Sequence, residues 1–403
     1  MNVIKNALIA TAFGCAIISC KNDPSVDQKV PSDPADAQKP ISEVLEQRYE
    51  YLLDYPVDSM AFPRSYNPDS AQIKKVPSKD WTSGFFAGNL WQLYELSGES
   101  RFRESALKWT RFIEKEKLNG GTHDMGFKVY NSFGLGLQNN GDADYKDVIV
   151  KSAKTLSTRF NENVQSIRSW DFRIKQWEFP VIIDNMMNLE LLFEATKLSQ
   201  DSSFHKIAVT HANTTLKNHF RPDHSTYHVV VYDTINGQVK DKVTHQGYGK
   251  ETSWARGQGW AIYGYTMAYR YTKDQRYLEQ AKNTASFYLN HKNLPDDGIP
   301  YWDFDAPNIP DEPRDVSAAA IVGSALVELY EYTNDQTYLD YSYKVLNTLE
   351  TEEYVLPADL KIPFILDHSS GDWSKRAEMD EPIIYGDYYY LELKRRLQAL
   401  NNS

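Results

Sequence analysis

Apolar residues along most of this chain fall on one face of a helix. From Phe86 the next large apolar groups are Leu90, Leu93 and Tyr94, at intervals of four, seven and eight residues, the spacing of an amphipathic helix. Gly98 stops that stretch, and a second helix is expected from about Phe102 to Lys117. Similar pairs are predicted to start near His123, Pro180, Trp254 and Val316, and the C-terminal stretch Tyr388 to Leu400 pairs with a first helix over Ile41 to Leu53. Between the two halves of a pair an aromatic residue follows an Asp or Glu. The linkers are Ser97-Gly-Glu-Ser-Arg-Phe102, Asn140-Gly-Asp-Ala-Asp-Tyr145, Ser199-Gln-Asp-Ser-Ser-Phe204, Thr272-Lys-Asp-Gln-Arg-Tyr277 and Thr333-Asn-Asp-Gln-Thr-Tyr338. They recur every ~40–75 residues, the length of a helical hairpin with a variable loop.

About six such hairpins bury their apolar faces by closing into a double ring, so the predicted fold is all-α, an (α/α)6 barrel. An open solenoid would show more uniform repeats and polar capping units. Val229, Val230 and Val231, within Tyr227 to Tyr232, read as a strand of a small β-hairpin near the cleft, before His245. In such a ring the inner helices run the same way, and their unpaired N–H groups and positive dipole ends converge on one mouth. That mouth suits an anionic ligand.

Composition adds little to this picture. The 403 residues are 41% hydrophobic and 25% charged, with 27 Tyr and 9 Trp, which suits sugar stacking and a large helical core equally. A net charge of −11 argues against nucleic acid as a partner. The N-terminus is more informative. Lys5 and the short apolar run Ala7 to Ile18, ending Ser19-Cys20, resemble a bacterial lipoprotein signal over residues 1–20, with Cys20 as the lipidated residue. The resemblance implies a protein of the cell envelope, anchored to a membrane through Cys20. Residues 21–40, rich in Pro, Asp, Lys and Gln, read as a disordered tether, and 41–403 as the folded domain. The only cysteines, Cys15 and Cys20, lie in the signal, so the domain has neither a disulfide nor a thiol nucleophile.

Two Asp residues stand out by position. Asp124 sits in Gly120-Gly-Thr-His-Asp-Met-Gly-Phe127, at the start of one inner helix. Asp184 sits in Phe179-Pro-Val-Ile-Ile-Asp-Asn-Met-Met-Asn188; Pro180 fits a first helical position and puts Asp184 about one turn in. An acid in so apolar a run is costly to bury unless paired or raised in pKa, and a raised pKa is what a general acid needs. The bland alternative is a carboxylate that stabilises a helix dipole. A third cluster is His245-Gln-Gly-Tyr-Gly249 with Trp254-Ala-Arg-Gly-Gln-Gly-Trp260. It offers small residues for close approach, Trp faces for sugar rings, and in Arg256 a fork for a carboxylate or a structural Asp. Trp91 and Trp109 are expected to be packing. His219, His224 and His228 lack a metal-ligand pattern on a regular element. There is no phosphate loop, dinucleotide fingerprint or serine nucleophile elbow.

His123-Asp-Met-Gly-Phe127, Phe179-Pro-Val-Ile-Ile-Asp-Asn185 and Trp254-Ala-Arg-Gly-Gln-Gly-Trp260, in this order, resemble the unsaturated glucuronyl hydrolases of glycoside hydrolase family 88, over roughly residues 45–395. The resemblance implies a catalytic (α/α)6 domain that removes the 4,5-unsaturated uronic acid left by polysaccharide lyases at the non-reducing end of a fragment. It does so by hydrating the vinyl ether, so rules that read stereochemistry from carboxylate separation do not apply. By position, Asp184 resembles the general acid/base and Asp124 the partner that orients substrate or water. His123 and Phe127 would line the same subsite. His228, His245, Gln246, Arg256 and Trp260 would hold the uronate, with Trp170 or Trp177 as a stacking face. Lys250, Thr252 and the loop His368 to Lys375 would meet the next sugar. The implied partner is an unsaturated uronic-acid oligosaccharide of glycosaminoglycan or ulvan type, with no metal and no cofactor. Three other readings stay open on sequence: an unsaturated rhamnogalacturonyl hydrolase acting on pectin fragments, a lyase on the same toroid, and a sugar-binding lipoprotein without activity.

Overall fold

The computed structural model describes residues 39–402. The signal-like segment, Cys20 and nearly all of the tether lie outside the described residues. From Pro40 onward the chain forms one compact unit.

Among the described residues the α-helices are α1 (Ile41–Asp54), α2 (Ser83–Ser97), α3 (Ser100–Ile113), α4 (Leu135–Asn140), α5 (Ala143–Ser157), α6 (Asn185–Ser199), α7 (Ser202–Asn218), α8 (Ala255–Thr272), α9 (Gln275–Leu289), α10 (Val316–Thr333), α11 (Gln336–Leu349) and α12 (Ile384–Asn401). A π-helical segment, Gly126–Gly134, runs directly into α4. The inner ring is α2, the π segment with α4, α6, α8, α10 and α12; each packs on the next and α12 returns to α2. Of these helices, α8 is buried without a break from Ala255 to Ala268 and α10 from Val316 to Leu329. Outer helices bury one stripe, as α9 does with Tyr277, Leu278, Ala281, Ala285 and Tyr288. The predicted (α/α)6 barrel is the observed fold.

The recurrent linker has a simple physical content. Each of the five is a two-residue turn. Its first residue is left-handed: Gly98, Gly141, Gln200, Lys273 and Asn334 have φ of 72°, 66°, 63°, 56° and 56°. Its second residue is the N-cap of the outer helix, and in four of the five its carboxylate, that of Asp142, Asp201, Asp274 or Asp335, accepts the N–H two residues on; Glu99 makes no such bond. The aromatic three places after the acid, Phe102, Tyr145, Phe204, Tyr277 or Tyr338, is buried and anchors the outer helix to the inner one.

With turns this short at one end, all variation goes to the other. The long connections there carry the strands β1 (Phe62–Asn67), β2 (Gln72–Val76), β3 (Phe160–Asn161), β4 (Ser166–Ile167), β5 (Phe179–Ile182), β6 (Val229–Tyr232), β7 (Val239–Val243), β8 (Ser369–Asp372) and β9 (Ala377–Glu381). The expected hairpin is β6–β7, but it is part of a three-stranded antiparallel sheet in the order β5-β6-β7. This corrects one expectation. Pro180 does not open a helix; it lies in β5 opposite Val231, and Asp184 precedes α6 instead of standing one turn inside it. A short apolar run carries no periodicity, and the β-branched partners of β6 decide it as a strand.

Candidate active site

At Asp124 the backbone folds on itself before the π segment. The Thr122 hydroxyl donates to Asp124 Oδ2 at 2.6 Å, and Asp124 N donates to the same hydroxyl oxygen at 3.1 Å. His123 Nε2 stands 3.1 Å from Asp124 Oδ1. Phe127 N donates to Asn188 Oδ1 on α6 at 3.1 Å, which laces this helix start to the next. Asp184 leaves β5 and takes helical φ and ψ at the head of α6, yet its side chain caps no N–H of that helix. The carboxylate is left facing a cavity.

That cavity, of about 420 Å³, is lined by Asp124 and Asp184 together with His123, Phe127, Trp170, His245, Gln246 and Arg256. Arg64, Trp81, Thr122, Phe172, Asp372 and Lys375 complete much of the wall. The two carboxyls differ electrostatically. Burial pushes the Asp184 carboxyl up from 3.8 to about 7, only partly opposed by His123 and Arg256. Burial acts upward on Asp124 too, but His123, the Thr122 hydroxyl and Lys128 outweigh it and hold this carboxyl below its ordinary value. Lys128 is itself buried, 3.3 Å from Glu116. One carboxyl is therefore protonated and the other ionised over a common pH range.

His228 fixes the orientation of what lies behind Asp184. Its Nδ1 accepts the backbone N–H of both His245 and Gln246 at 3.1 Å. Burial, followed by His245 and Arg256, lowers its pKa well below the usual histidine value. A neutral ring that accepts at Nδ1 carries its proton at Nε2. That Nε2 is 3.6 Å from Asp184 Oδ2, and both atoms are buried without a hydrogen-bond partner. His245 is likewise held neutral, to about 4, by burial against the pull of Asp372.

Several expected residues are placed differently. Arg256 reaches the cavity wall, but its fork is engaged with Asp315 Oδ2 at 2.7 Å, Gly371 O at 2.7 Å and Ser370 O. It thereby ties α8 to the hairpin β8–β9. Gln246 Nε2 donates to the same Gly371 carbonyl at 3.2 Å. Trp260 is 1% exposed and packs between Phe127 and Tyr389, behind the wall. Trp177 is buried beside Trp170 and His245. Thr252 lies off the cavity, bonded to Asp303 Oδ2 at 2.8 Å, and Lys250 is exposed next to Glu251. Of the loop His368 to Lys375, Asp372 and Lys375 reach the cavity and are paired at 2.5 Å. His219 Nε2 meets Val181 O at 3.1 Å.

Sequence reasoning missed Arg64, Trp81, Thr122, Lys128 and Phe172. Thr122 had a local signal, a hydroxyl two residues before an acid. Arg64 had none, because its ion pairs are with Asp80 at 3.0 Å and with Glu378, far along the chain, at 2.6 Å.

Residues 59–291, more than half of the chain, match the family model of Glycosyl Hydrolase Family 88. The chain belongs to that family. This family 88 chain is 61% identical over 357 residues to an unsaturated glucuronyl hydrolase of Formosa agariphila, across 88% of this chain and 89% of that one. It also resembles the crystal structure of an unsaturated glucuronyl hydrolase specific for heparin, with a TM-score of 0.85 and 42% identity over 90% of this chain and 98% of that one. A variant of the Streptococcus agalactiae unsaturated glucuronyl hydrolase complexed with dGlcA-GalNAc6S matches at a TM-score of 0.72 and 28% identity, over 89% and 91% of the two chains. A family 88 member of this kind is a glycoside hydrolase.

Proposed function

We propose that this enzyme removes the 4,5-unsaturated glucuronic acid from the non-reducing end of lyase-generated oligosaccharides by hydrating the C4=C5 vinyl ether. Asp184 is the general acid and later base, and Asp124 orients the water and steadies developing charge. The observation that carries this reading is the opposed ionisation of two carboxyls in one cavity, Asp184 pushed up to about 7 and Asp124 held low.

The steps balance without a further reactant. The protonated Asp184 delivers its proton to C4, and positive charge builds near C5. Ionised Asp124 stabilises that charge from a fixed position, at no reorganisation cost during the step. Water adds its oxygen to C5 and returns a proton to the Asp184 carboxylate. The resulting hemiketal opens at its ring C5–O5 bond to a C5 ketone and a C1 hemiacetal. The hemiacetal collapses to an aldehyde as its C1–O bond to the remaining oligosaccharide breaks and the hydroxyl proton passes to the released sugar. His228 Nε2, 3.6 Å from Asp184 Oδ2, is close enough for a small shift on substrate binding to make it a donor to that carboxyl. The uronate carboxylate meets the helix N-termini that converge on the cavity.

The parent polymer is of glycosaminoglycan or ulvan type, with the sugar after the uronate meeting Gln246, Asp372 and Lys375. Loss of the ultraviolet absorbance of the conjugated double bond, followed with unsaturated disaccharides from chondroitin, heparin, ulvan and pectin, tests the assignment. Asp184→Asn is expected to lower the rate about 10²–10⁴-fold, the usual contribution of a general acid. A wild-type protein that consumes only the pectin disaccharide would move the assignment to the rhamnogalacturonyl class.

The segment ending Ile17-Ile18-Ser19-Cys20 supports a second part of the proposal, that the mature protein is lipid-anchored in the bacterial envelope through Cys20. Recovery of Cys20→Ala in the membrane fraction to the same extent as wild type would reject it.

A further inference from the structure

Phe172 is an apolar side chain that the protein holds in water at the edge of the cavity. Among the described residues eight large hydrophobic side chains are exposed, and of these only Phe172 lines the cavity that contains Asp184. It is 48% exposed.

Its position is built. Asp171 is bound by Arg159 through both oxygens, at 3.0 and 3.1 Å, and by Arg168 at 2.7 Å. After Phe172 the chain turns at Arg173, which has φ of 56°, and Gln176 N and Trp177 N both donate to Arg173 O. Trp177 is buried and Arg173 lies over its ring at 5.1 Å. The turn is therefore pinned at both ends. One face of the Phe172 ring stacks on Trp170, with centroids 4.6 Å apart and planes 12° apart, and His245 stands 5.6 Å away. Phe172 covers the Trp170 face it stacks on; both rings line the cavity, and Phe172 is the exposed one of the pair.

A fixed aromatic face at the rim of a sugar cleft suits the axial C–H groups of a pyranose, an apolar patch on an otherwise polar ligand. Asp184 lies deep and Phe172 at the rim, so the ring that meets Phe172 is the one beyond the unsaturated uronate. We propose that Phe172 is the stacking platform for the sugar that follows the uronate, and that it sets preference among leaving sugars by the apolarity of the face they present. This rests on the hydrolase reading above.

The test compares two substrates, an unsaturated disaccharide and the methyl glycoside of the same unsaturated uronic acid, which has no second ring. Phe172→Ala is expected to raise KM for the disaccharide about five- to tenfold, as expected for loss of one aromatic contact. The methyl glycoside should keep its kcat/KM within about twofold, since the first subsite is untouched. Phe172→Tyr should restore the disaccharide value, and the exposed position predicts an unchanged melting temperature for both variants. An equal loss on both substrates would show that Phe172 only props Trp170 and would overturn the proposal. So would an unchanged KM for the disaccharide. If wild type consumes neither substrate, the hydrolase reading falls first and this proposal with it.

Discussion

Burial alone would push both Asp124 and Asp184 upward; their neighbours separate them. His123, Thr122 and Lys128 act on Asp124, while Asp184 has His123 and Arg256 only at longer range and an N–H of His228 that is 3.6 Å off. The sign of the consequence is fixed. The acid form of Asp184 is fully present below pH about 7 and is lost as pH rises through it, so kcat/KM should fall about tenfold per pH unit above that value. Stability follows the same group. Its folded pKa is raised from 3.8, so the native state holds the proton more tightly than the unfolded chain does. Between pH about 4 and 7 wild type therefore loses stability as pH rises, then levels off. Asp184→Asn removes that loss. The variant should exceed wild type by about 1–4 kcal/mol at pH 8 and by little at pH 4, measured by denaturant unfolding. Equal stability of the two proteins at both pH values would show that Asp184 is not desolvated in solution. Asp124, Asp184 and His123 were legible in the sequence because each lies in a short, unusual local string. Arg64, Trp81 and Phe172 were not, because only the folded loops bring them to the cavity.

Among elements, the legible ones were those whose chemistry is local. A left-handed residue, an acid that caps, and an aromatic three places later are all contained in one linker, so five hairpins could be placed from the sequence. Strand β5 could not, because its identity depends on β6, some fifty residues away. The π segment was equally hidden, since nothing in Gly126-Phe-Lys-Val-Tyr-Asn-Ser-Phe-Gly134 departs from helix periodicity enough to announce a widened turn. What the structure adds is how closely that segment is approached. A Cβ on Gly84 of α2 would overlap the carbonyl oxygens of Phe127 and Lys128, and one on Gly126 would come within 2.7 Å of Asn188 Cα. These inner helices touch backbone to backbone beside the site. Gly84→Ala is expected to force α2 and the π segment apart and to cost about 3 kcal/mol, the upper range for overpacking. Because Asp124 and Phe127 move with that segment, kcat should fall as well. A Gly84→Ala protein with wild-type unfolding midpoint and kcat would mean the two backbones are farther apart than described.

At the scale of the whole molecule a ring has to be closed, and the chain does so with its first helix. α1 packs beside α3 and reaches α12 through the side chain of Tyr49, so its place beside α12 is set through space and not by a short linker. The closure is carried by a buried cation. Arg48, 0% exposed, donates to the carbonyl oxygens of Pro357, Leu360, Ile362 and Phe364, while Tyr49 meets Tyr390 of α12 at 3.2 Å. Asp387, at the head of α12, accepts Ile365 N and Leu366 N from the same stretch at 3.0 and 2.9 Å. Burial lowers the Arg48 pKa to about 10, with Asp387 as the chief opposing influence, so the guanidinium remains charged at neutral pH. Removing it would leave several buried carbonyls without donors, which is where large mutational losses come from. Arg48→Ala should therefore destabilise the domain by about 3–5 kcal/mol. Lys cannot supply the same planar fork, so Arg48→Lys should recover only part of that loss. Since Arg48 lies in none of the walls around Asp184, the folded fraction of each variant should keep its KM. Denaturant unfolding and kinetics on the same samples check both halves. A variant that unfolds at the wild-type midpoint would show that α12 is held in the ring by its inner contacts with α2 and α10 alone.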